Sequence, residues 1–390
     1  VAIGRMEGAG GHWSARADLQ SQGVIIADRK RRLPLSRLAV HLEGDDSGLR
    51  GRAAFSAGEL PGRLEAVFQL QAAAGRGRAR LNTTTPLRFS PEHPLASLLA
   101  GLPADLDRGS LFLTATASWS ATTRPALRIG IRLDNGAGKA GDLAFTGLRV
   151  RERAEILPRI RSLTPATISL ATLDAGIKMQ DLEAVVRLTP SPAGPGPMVH
   201  LDRFAARLLG GRVSTSGLVL DPNRPDGHCT IAISGLDLAE IVRVMQVRDL
   251  QVSGRVDGRL PLRLDAKGIS INNGELRNRP PGGVIRYRPR QKSSLAEMEI
   301  TGYALKAMED FRYNLLSAKV EYRPGGQLNV ALHLEGHSPK LETTRPVHLN
   351  INTEQNLLSL LKSLQYSRSL TDELDKSIQR HYNVPQATGP

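Results

Sequence analysis

Apolar and polar residues alternate along most of this chain, and a period of two commits a segment to a half-buried β-strand. Leu127, Ile129, Ile131 and Leu133 share one face, while Arg128 and Arg132 take the other. Leu250, Val252 and Val256 alternate in the same way, followed by Leu260, Leu262 and Leu264. Three late segments repeat the pattern: Leu316, Ala318, Val320 and Tyr322; Leu328, Val330, Leu332 and Leu334; Val347, Leu349 and Ile351. Turn-forming residues at Asp45–Gly48, Asp134-Asn135-Gly136, Asp257-Gly258, Asn273-Gly274 and Pro324-Gly325-Gly326 separate these segments. The Asn-Gly and Pro-Gly-Gly sites predict tight hairpins. Helical windows almost never fall between strands, so a βαβ sheet is excluded and an all-β, mostly antiparallel fold with few helices is expected.

Short helices are predicted at Leu236–Val247 and Leu95–Leu102. A stronger stripe of Leu357, Leu358, Leu361 and Leu364 predicts a helix from about Glu354 to Leu364. Leu370, Leu374 and Ile378 continue it at a spacing of four, and Ser369 with Asp372 resembles a capping box. The Pro/Gly-rich tract from Thr189 to Pro197 reads as a linker or loop.

The polar residues do not assemble a catalytic signature. The nine histidines are scattered, and no His-Glu-x-x-His unit occurs. Cys229 is the lone cysteine, which rules out a disulfide framework and a multi-cysteine metal centre. It reads as a small, buried apolar residue on the Ile231 face. There is neither a nucleophile elbow nor a Walker loop. No enzyme, metal or cofactor is expected. With 52 basic against 38 acidic residues the net charge is +14, and two basic clusters stand out. Arg29, Lys30, Arg31 and Arg32 fall in an expected hairpin turn. Arg76, Arg78 and Arg80 line one strand face and are candidates for lipid headgroups or another anionic surface. A solvated face that keeps sheet edges apart explains them equally. Nucleic acid is not expected as a partner, because aromatic residues are only 4 % of the chain and stacking platforms need them. The longest apolar runs fall far short of a membrane-spanning helix. The chain opens on Val1 with no export-type segment after it, so it is expected to be either processed or a fragment of something longer.

More than ten strands each present a Leu/Val/Ile row, and something must cover these rows. Two sheets could pack as a sandwich. A lipid-facing barrel could form, although the scarcity of aromatics argues against its girdles. One long curled sheet could instead line a furrow with aliphatic side chains suited to acyl chains. Periodicity leaves these three open.

Several stretches in one order narrow the choice. They are Gly235–Ile241, Val252–Leu262, Pro281–Tyr287, Phe311–Ser317, Leu334–Pro339, Arg345–Asn352 and Glu354–Leu357. From about Leu208 to Leu364 the chain resembles the YdbH family of Gram-negative envelope proteins, in the AsmA-like, TamB-related group. The first 200 residues fit more loosely. The resemblance implies a β-taco, a curled sheet whose apolar groove carries phospholipids across the periplasm from an inner-membrane anchor to the outer membrane. It implies a small outer-membrane lipoprotein as partner at the C-terminal end. Part of the family carries the label dicarboxylate transport, which an aliphatic furrow does not suit. On this reading 1–190 is a groove-forming β-rich region and 191–352 the family's β-groove domain. Residues 353–383 form a helical cap and 384–390 a frayed tail. Leu316, Val320, Leu328, Val330, Leu332, Val347, Leu349 and Ile351 become groove candidates. Leu357, Leu361, Leu364, Leu374 and Ile378 become cap or partner contacts. The alternative function is an envelope scaffold or outer-membrane assembly factor that binds protein strands by β-augmentation.

Overall fold

The computed structural model describes residues 2–9, 12–27, 32–98, 104–194, 196–247, 249–288, 302–341 and 346–364. Strands dominate. The first nine are β1 (Ala2–Ala9), β2 (His12–Ala27), β3 (Arg32–Asp45), β4 (Gly48–Ala57), β5 (Arg63–Gln71), β6 (Arg76–Thr85), β7 (Leu87–Phe89), β8 (Asp105–Trp119) and β9 (Ala126–Ala140). Then come β10 (Leu143–Leu157), β11 (Arg161–Asp174), β12 (Lys178–Pro190), β13 (Pro197–Leu208), β14 (Gly211–Thr215), β15 (Leu218–Leu220), β16 (Asp226–Asp237) and β17 (Leu250–Val252). The last six are β18 (Arg255–Asp265), β19 (Gly268–Asn278), β20 (Gly283–Tyr287), β21 (Phe311–Tyr322), β22 (Gln327–His337) and β23 (Val347–Asn356). Four short helices accompany them: α1 (Leu95–Leu98), α2 (Leu238–Met245), α3 (Gly302–Met308) and α4 at 357–364.

Two compact units share these elements. The first comprises Val1–Leu173, Gln180–Ala205 and Ser216–Gly227; the second comprises Asp174–Met179, Ala206–Thr215 and His228–Pro390. In the first unit an antiparallel ladder runs β1-β2-β3-β4-β5-β6-β8-β9-β10. β7 pairs with β8, and β15 with β13. Among the described residues no pairing brings β1 round to β10, so the ladder is open. In the second unit β18-β19-β21-β22-β23 form a second antiparallel ladder. β20 bridges β21 and β17, and β14 pairs with β16. Both units are therefore built on open, antiparallel, all-β ladders, as a curled-sheet protein requires.

Two of the expected turns are turns. The Asp45 carboxylate accepts from the Ser47 and Gly48 amides at 2.8 and 3.2 Å, closing the β3–β4 hairpin. Pro324-Gly325-Gly326 closes β21–β22, with the Gly326 N–H donating to Arg323 O at 3.1 Å. The other three signals lie inside strands. Asn135 and Asn273 both sit at φ 55° within β9 and β19. The pairing register skips beside Asn273, between Ile271 and Gly274. A left-handed Asn before Gly thus makes a β-bulge here rather than a hairpin, because paired strands on both sides hold the chain extended. Gly258, within β18, answers a packing demand: a Cβ there would lie 2.3 Å from Leu276 Cδ2.

The helices also depart from expectation in detail. α2 starts where the Asp237 side chain accepts from the Ala239 amide at 2.9 Å, and ends at Gln246 with φ 54°. The C-terminal helix begins at 357 rather than at Glu354. Glu354, Gln355 and Asn356 stay in β23 because they complete the ladder opposite Asn329, Leu328 and Gln327. α3 was not expected. Its Ala304, Ala307 and Met308 carry the helical spacing and pack into the second unit's core. The cores are local. Leu60, Leu64, Leu87, Phe89, Leu106, Leu133 and Phe145 form one in the first unit. Leu236, Val256, Tyr287, Phe311, Leu334 and their neighbours form one in the second. Among the described residues no helix is long and apolar enough to cross a membrane.

Candidate functional site

Directly paired residues in an antiparallel ladder point to the same face, so register converts seven consecutive pairings into rows that cross the strands. In the first unit one row reads Leu19, Val40, Ala53, Ala66, Leu81, Ala115, Ile129 and Ala154. The next reads Ala17, Leu42, Gly51, Phe68, Ala79, Ala117, Leu127 and Leu157. Both rows are apolar across eight strands, a distance of roughly 34 Å at about 4.8 Å per strand. A second sheet laid on this face would have closed the rows to solvent. They are not closed. Val40, Ala53, Ala66, Leu81, Ala115, Ile129 and Leu127 remain partly accessible, and Leu19 and Leu157 are 39 % and 41 % exposed. Sequence reasoning missed most of this surface. Its small residues (Ala53, Ala66, Ala79, Ala115 and Ala117) carry a weak alternation signal, and only pairing shows that they line up.

Glu152 breaks the apolar lining. It pairs with Ile131 of the adjoining row, and its side chain takes a hydrogen bond from Ser162 Oγ at 2.8 Å. Its Oε2 is buried with no hydrogen-bond partner among the described residues. Burial pushes this carboxyl above its ordinary pKa, favouring the neutral form.

The opposite face is polar. Arg52, Val67, Arg80, Thr116 and Arg128 form the corresponding row there. Arg76, Arg78 and Arg80 are all exposed on this wet face, alternating with Gly77, Ala79 and Leu81. Arg78 donates to Gln69 Oε1 through Nε and Nη2 at 2.9 and 2.7 Å. Any anion they meet is met behind the apolar rows.

In the second unit the groove candidates fall into two groups. Leu316, Val347 and Leu349 are buried in the core with Leu334, Tyr287, Phe311 and Met308, and Val320 is also buried. Leu328, Val330, Leu332 and Ile351 stay half-buried. Leu276, Ala318, Leu332 and Ile351 form a transverse row there, and Ile271, Tyr322 and Leu328 another. The apolar face of this ladder is thus filled at the Leu316–Leu334–Leu349 end and partly open toward Leu328 and Val330. α4 stands by the β21–β22 turn, where the Leu357 amide donates to Gly326 O at 2.8 Å. Leu357 and Leu361 are half-buried and Leu364 is buried. Leu374 and Ile378 lie outside the described residues, as do the Ser369–Asp372 box, the 384–390 tail and Arg29–Arg31.

Four of the stretches singled out in the sequence, Gly235–Ile241, Val252–Leu262, Pro281–Tyr287 and Phe311–Ser317, meet at one polar knot in this unit, joined by Arg279. Arg279 donates from Nε to both carboxylate oxygens of Asp257, at 2.9 and 2.8 Å, with Nη2 lying 2.7 Å from Oδ1. The same Asp257 accepts from the Gly235 amide at 2.7 Å. These donors, Arg279 first, hold the Asp257 carboxyl below its usual range. The buried Tyr313 hydroxyl donates to Ser253 O at 2.7 Å, and the Gly254 carbonyl accepts from the Leu238 amide at the start of α2. Burial, assisted by the charge of Asp237, pushes the Tyr313 phenol up to about 12. Gly282, at φ 105°, lies where a Cβ would be 2.0 Å from Tyr313 O. These residues hold geometry: they fix how β16, β17, β20 and β21 leave one another.

Comparison with known proteins gives this fold its place. A family model described as "YdbH-like: Intermembrane phospholipid transport protein YdbH" matches residues 5–379. The chain belongs to the YdbH-like family. A curated relative, "Probable phospholipid transport protein YdbH" of Escherichia coli (strain K12), is 22 % identical over 170 residues, which are 44 % of this chain and 19 % of the relative. The chain thus matches about a fifth of that relative's length. No solved structure matches the chain. The family match reaches through the alanine-rich first unit, where the resemblance from sequence was loose.

Proposed function

We propose that this chain conducts phospholipids by laying their acyl chains along the transverse apolar rows, without covalent chemistry. The observation that carries the reading is the pair of eight-strand rows in the first unit, apolar throughout and partly accessible at most positions. Family membership, and the relative named as a probable phospholipid transport protein, support phospholipid as the cargo. The route we propose runs between the inner and outer membranes of a Gram-negative envelope, with the chain in the periplasm. The end carrying α4 would meet the lipoprotein partner that the family resemblance implies.

The energetics suit passage rather than trapping. Burying a methylene contributes about 0.8 kcal/mol, so about 20 methylenes half-covered by an open face contribute roughly 8 kcal/mol. Association costs about 4–15 kcal/mol, which leaves little surplus to hold one lipid at one position. Translation along the row exchanges one aliphatic contact for an equal one.

The test is photocrosslinking from single positions in the full chain purified with native lipid. Ile129 should label phospholipid and Arg128, its neighbour on the wet face, should not. Equal labelling from both positions, or none from Ile129, overturns the proposal. Protein adducts at the outer edge of β23 without any lipid adduct would favour strand binding instead.

A further inference from the structure

The wet face of the last two strands holds a cluster that the scattered histidine spacing concealed. Glu335 on β22 pairs directly with His348 on β23, and His333 pairs with Asn350. Two-residue spacing within each strand puts all four side chains on one face. His333 Nε2 lies 3.0 Å from Glu335 Oε1, and His348 Nδ1 lies 3.6 Å from the same oxygen. One ligand atom from each of His333, Glu335 and His348 falls within 4.8 Å of the other two. The two imidazoles stack with centroids 6.0 Å apart and planes 27° apart.

We propose that His333, Glu335 and His348 bind a divalent transition-metal ion of the Zn²⁺ class, clamping edge strand β23 to β22. Three lines of chemistry support it. First, an ion at about 2.0–2.2 Å from tetrahedral nitrogen and oxygen ligands separates those ligands by about 3.4 Å, and the two separations here bracket that value. Secondly, His333 Nδ1 lies 2.8 Å from Asn350 Oδ1. An N–H donated there leaves Nε2 with its lone pair directed at the site, which is the second-shell arrangement that orients metal-binding histidines. Thirdly, two imidazoles and one carboxylate suit zinc, copper or nickel and do not suit calcium or magnesium. Two neutral histidines and one carboxylate leave a net charge of +1 on a bound Zn²⁺ and a fourth position for water or a partner's group. The site lies behind the Leu332–Leu334 apolar row, so it is independent of lipid contact and serves as a strand clamp. β23 is where a clamp has most effect: among the described residues its outer edge has no strand partner, and β22 is the strand it pairs with.

The experiment is titration of the chelator-stripped full chain with Zn²⁺, followed by calorimetry and by thermal melting. One ion per chain should bind and raise the melting temperature. Co²⁺ should give the visible absorption of a tetrahedral N/O site, and Mg²⁺ should not compete. Glu335→Gln, which keeps the side chain's shape, and the double variant His333→Ala/His348→Ala should lose both the binding and the zinc-dependent shift. Asn350→Ala should weaken binding about tenfold, the lower end of second-shell effects. Absence of binding overturns the proposal. So does binding of unchanged stoichiometry and affinity in Glu335→Gln, because the ion would then rest on other surface histidines and carboxylates.

Discussion

Substituting Ile129 by Glu places a carboxylate in the middle of an eight-strand apolar row, between Ala115 and Ala154. The magnitude follows from its half-buried state. Full burial of an isoleucine side chain contributes about 1.5–3 kcal/mol, so the accessible half offers a lipid about 0.75–1.5 kcal/mol. Setting a polar group against hydrocarbon without a partner costs a further 1–3 kcal/mol on mutational scales, about the least a carboxylate would cost. The sum, about 1.8–4.5 kcal/mol, corresponds to roughly a 20- to 2,000-fold loss of lipid affinity for that stretch of the row. Arg128→Glu changes charge by two units one residue away but on the opposite face, and should alter affinity less than threefold. The assay is transfer of a fluorescent phospholipid from vesicles to the protein, with circular dichroism confirming that both variants keep their strand content. Equal loss in both variants would show that lipid responds to net charge rather than to the row. Unchanged uptake by folded Ile129→Glu would refute the geometry outright.

Two further expectations concern the second unit. Leu334, 1 % exposed in the core, should cost about 2–5 kcal/mol of unfolding free energy when changed to Ala, read by urea denaturation. Tyr313→Phe should cost about 1 kcal/mol, because Ser253 O loses its donor. Its titration gives a second handle. A phenol raised from about 10 in the unfolded chain to about 12 in the fold keeps its proton better when folded. Its stabilisation is complete below pH 10 and disappears as pH rises through about 12. Thermal melts of the parent chain should fall more steeply over that window than those of Tyr313→Phe, and identical slopes would contradict the buried hydroxyl.

The amino-acid order by itself determined the class of the fold and the face of nearly every strand. Most alternating segments, from Leu127–Leu133 to Val347–Ile351, became strands with their aliphatic residues on one side, because a pleat offers only two directions, whereas Leu250–Val256 broke at 253–254 into β17 and β18. Cys229 joined the Ile231 and Ile233 face for the same reason, although it is only half-buried there rather than buried. Local chemistry also set the Asp45 turn, the Pro324-Gly325-Gly326 hairpin and the Asp237 cap. It failed where neighbours overruled it. Asn135-Gly136 and Asn273-Gly274 have hairpin chemistry, yet flanking ladders kept the chain extended and turned both into irregularities within long strands. Glu354–Asn356 continue a leucine-rich helical stripe, yet three cross-strand pairings held them in β23. What tertiary structure alone decided was alignment across strands. Period two says which way Ala66 or His348 points but not what stands beside it, and hydrogen-bond register sets that over tens to hundreds of residues. Register made eight weakly apolar segments into two continuous rows, closed Leu316 and Leu349 into a core while leaving Val330 half-open, and brought His333, Glu335 and His348 to one point.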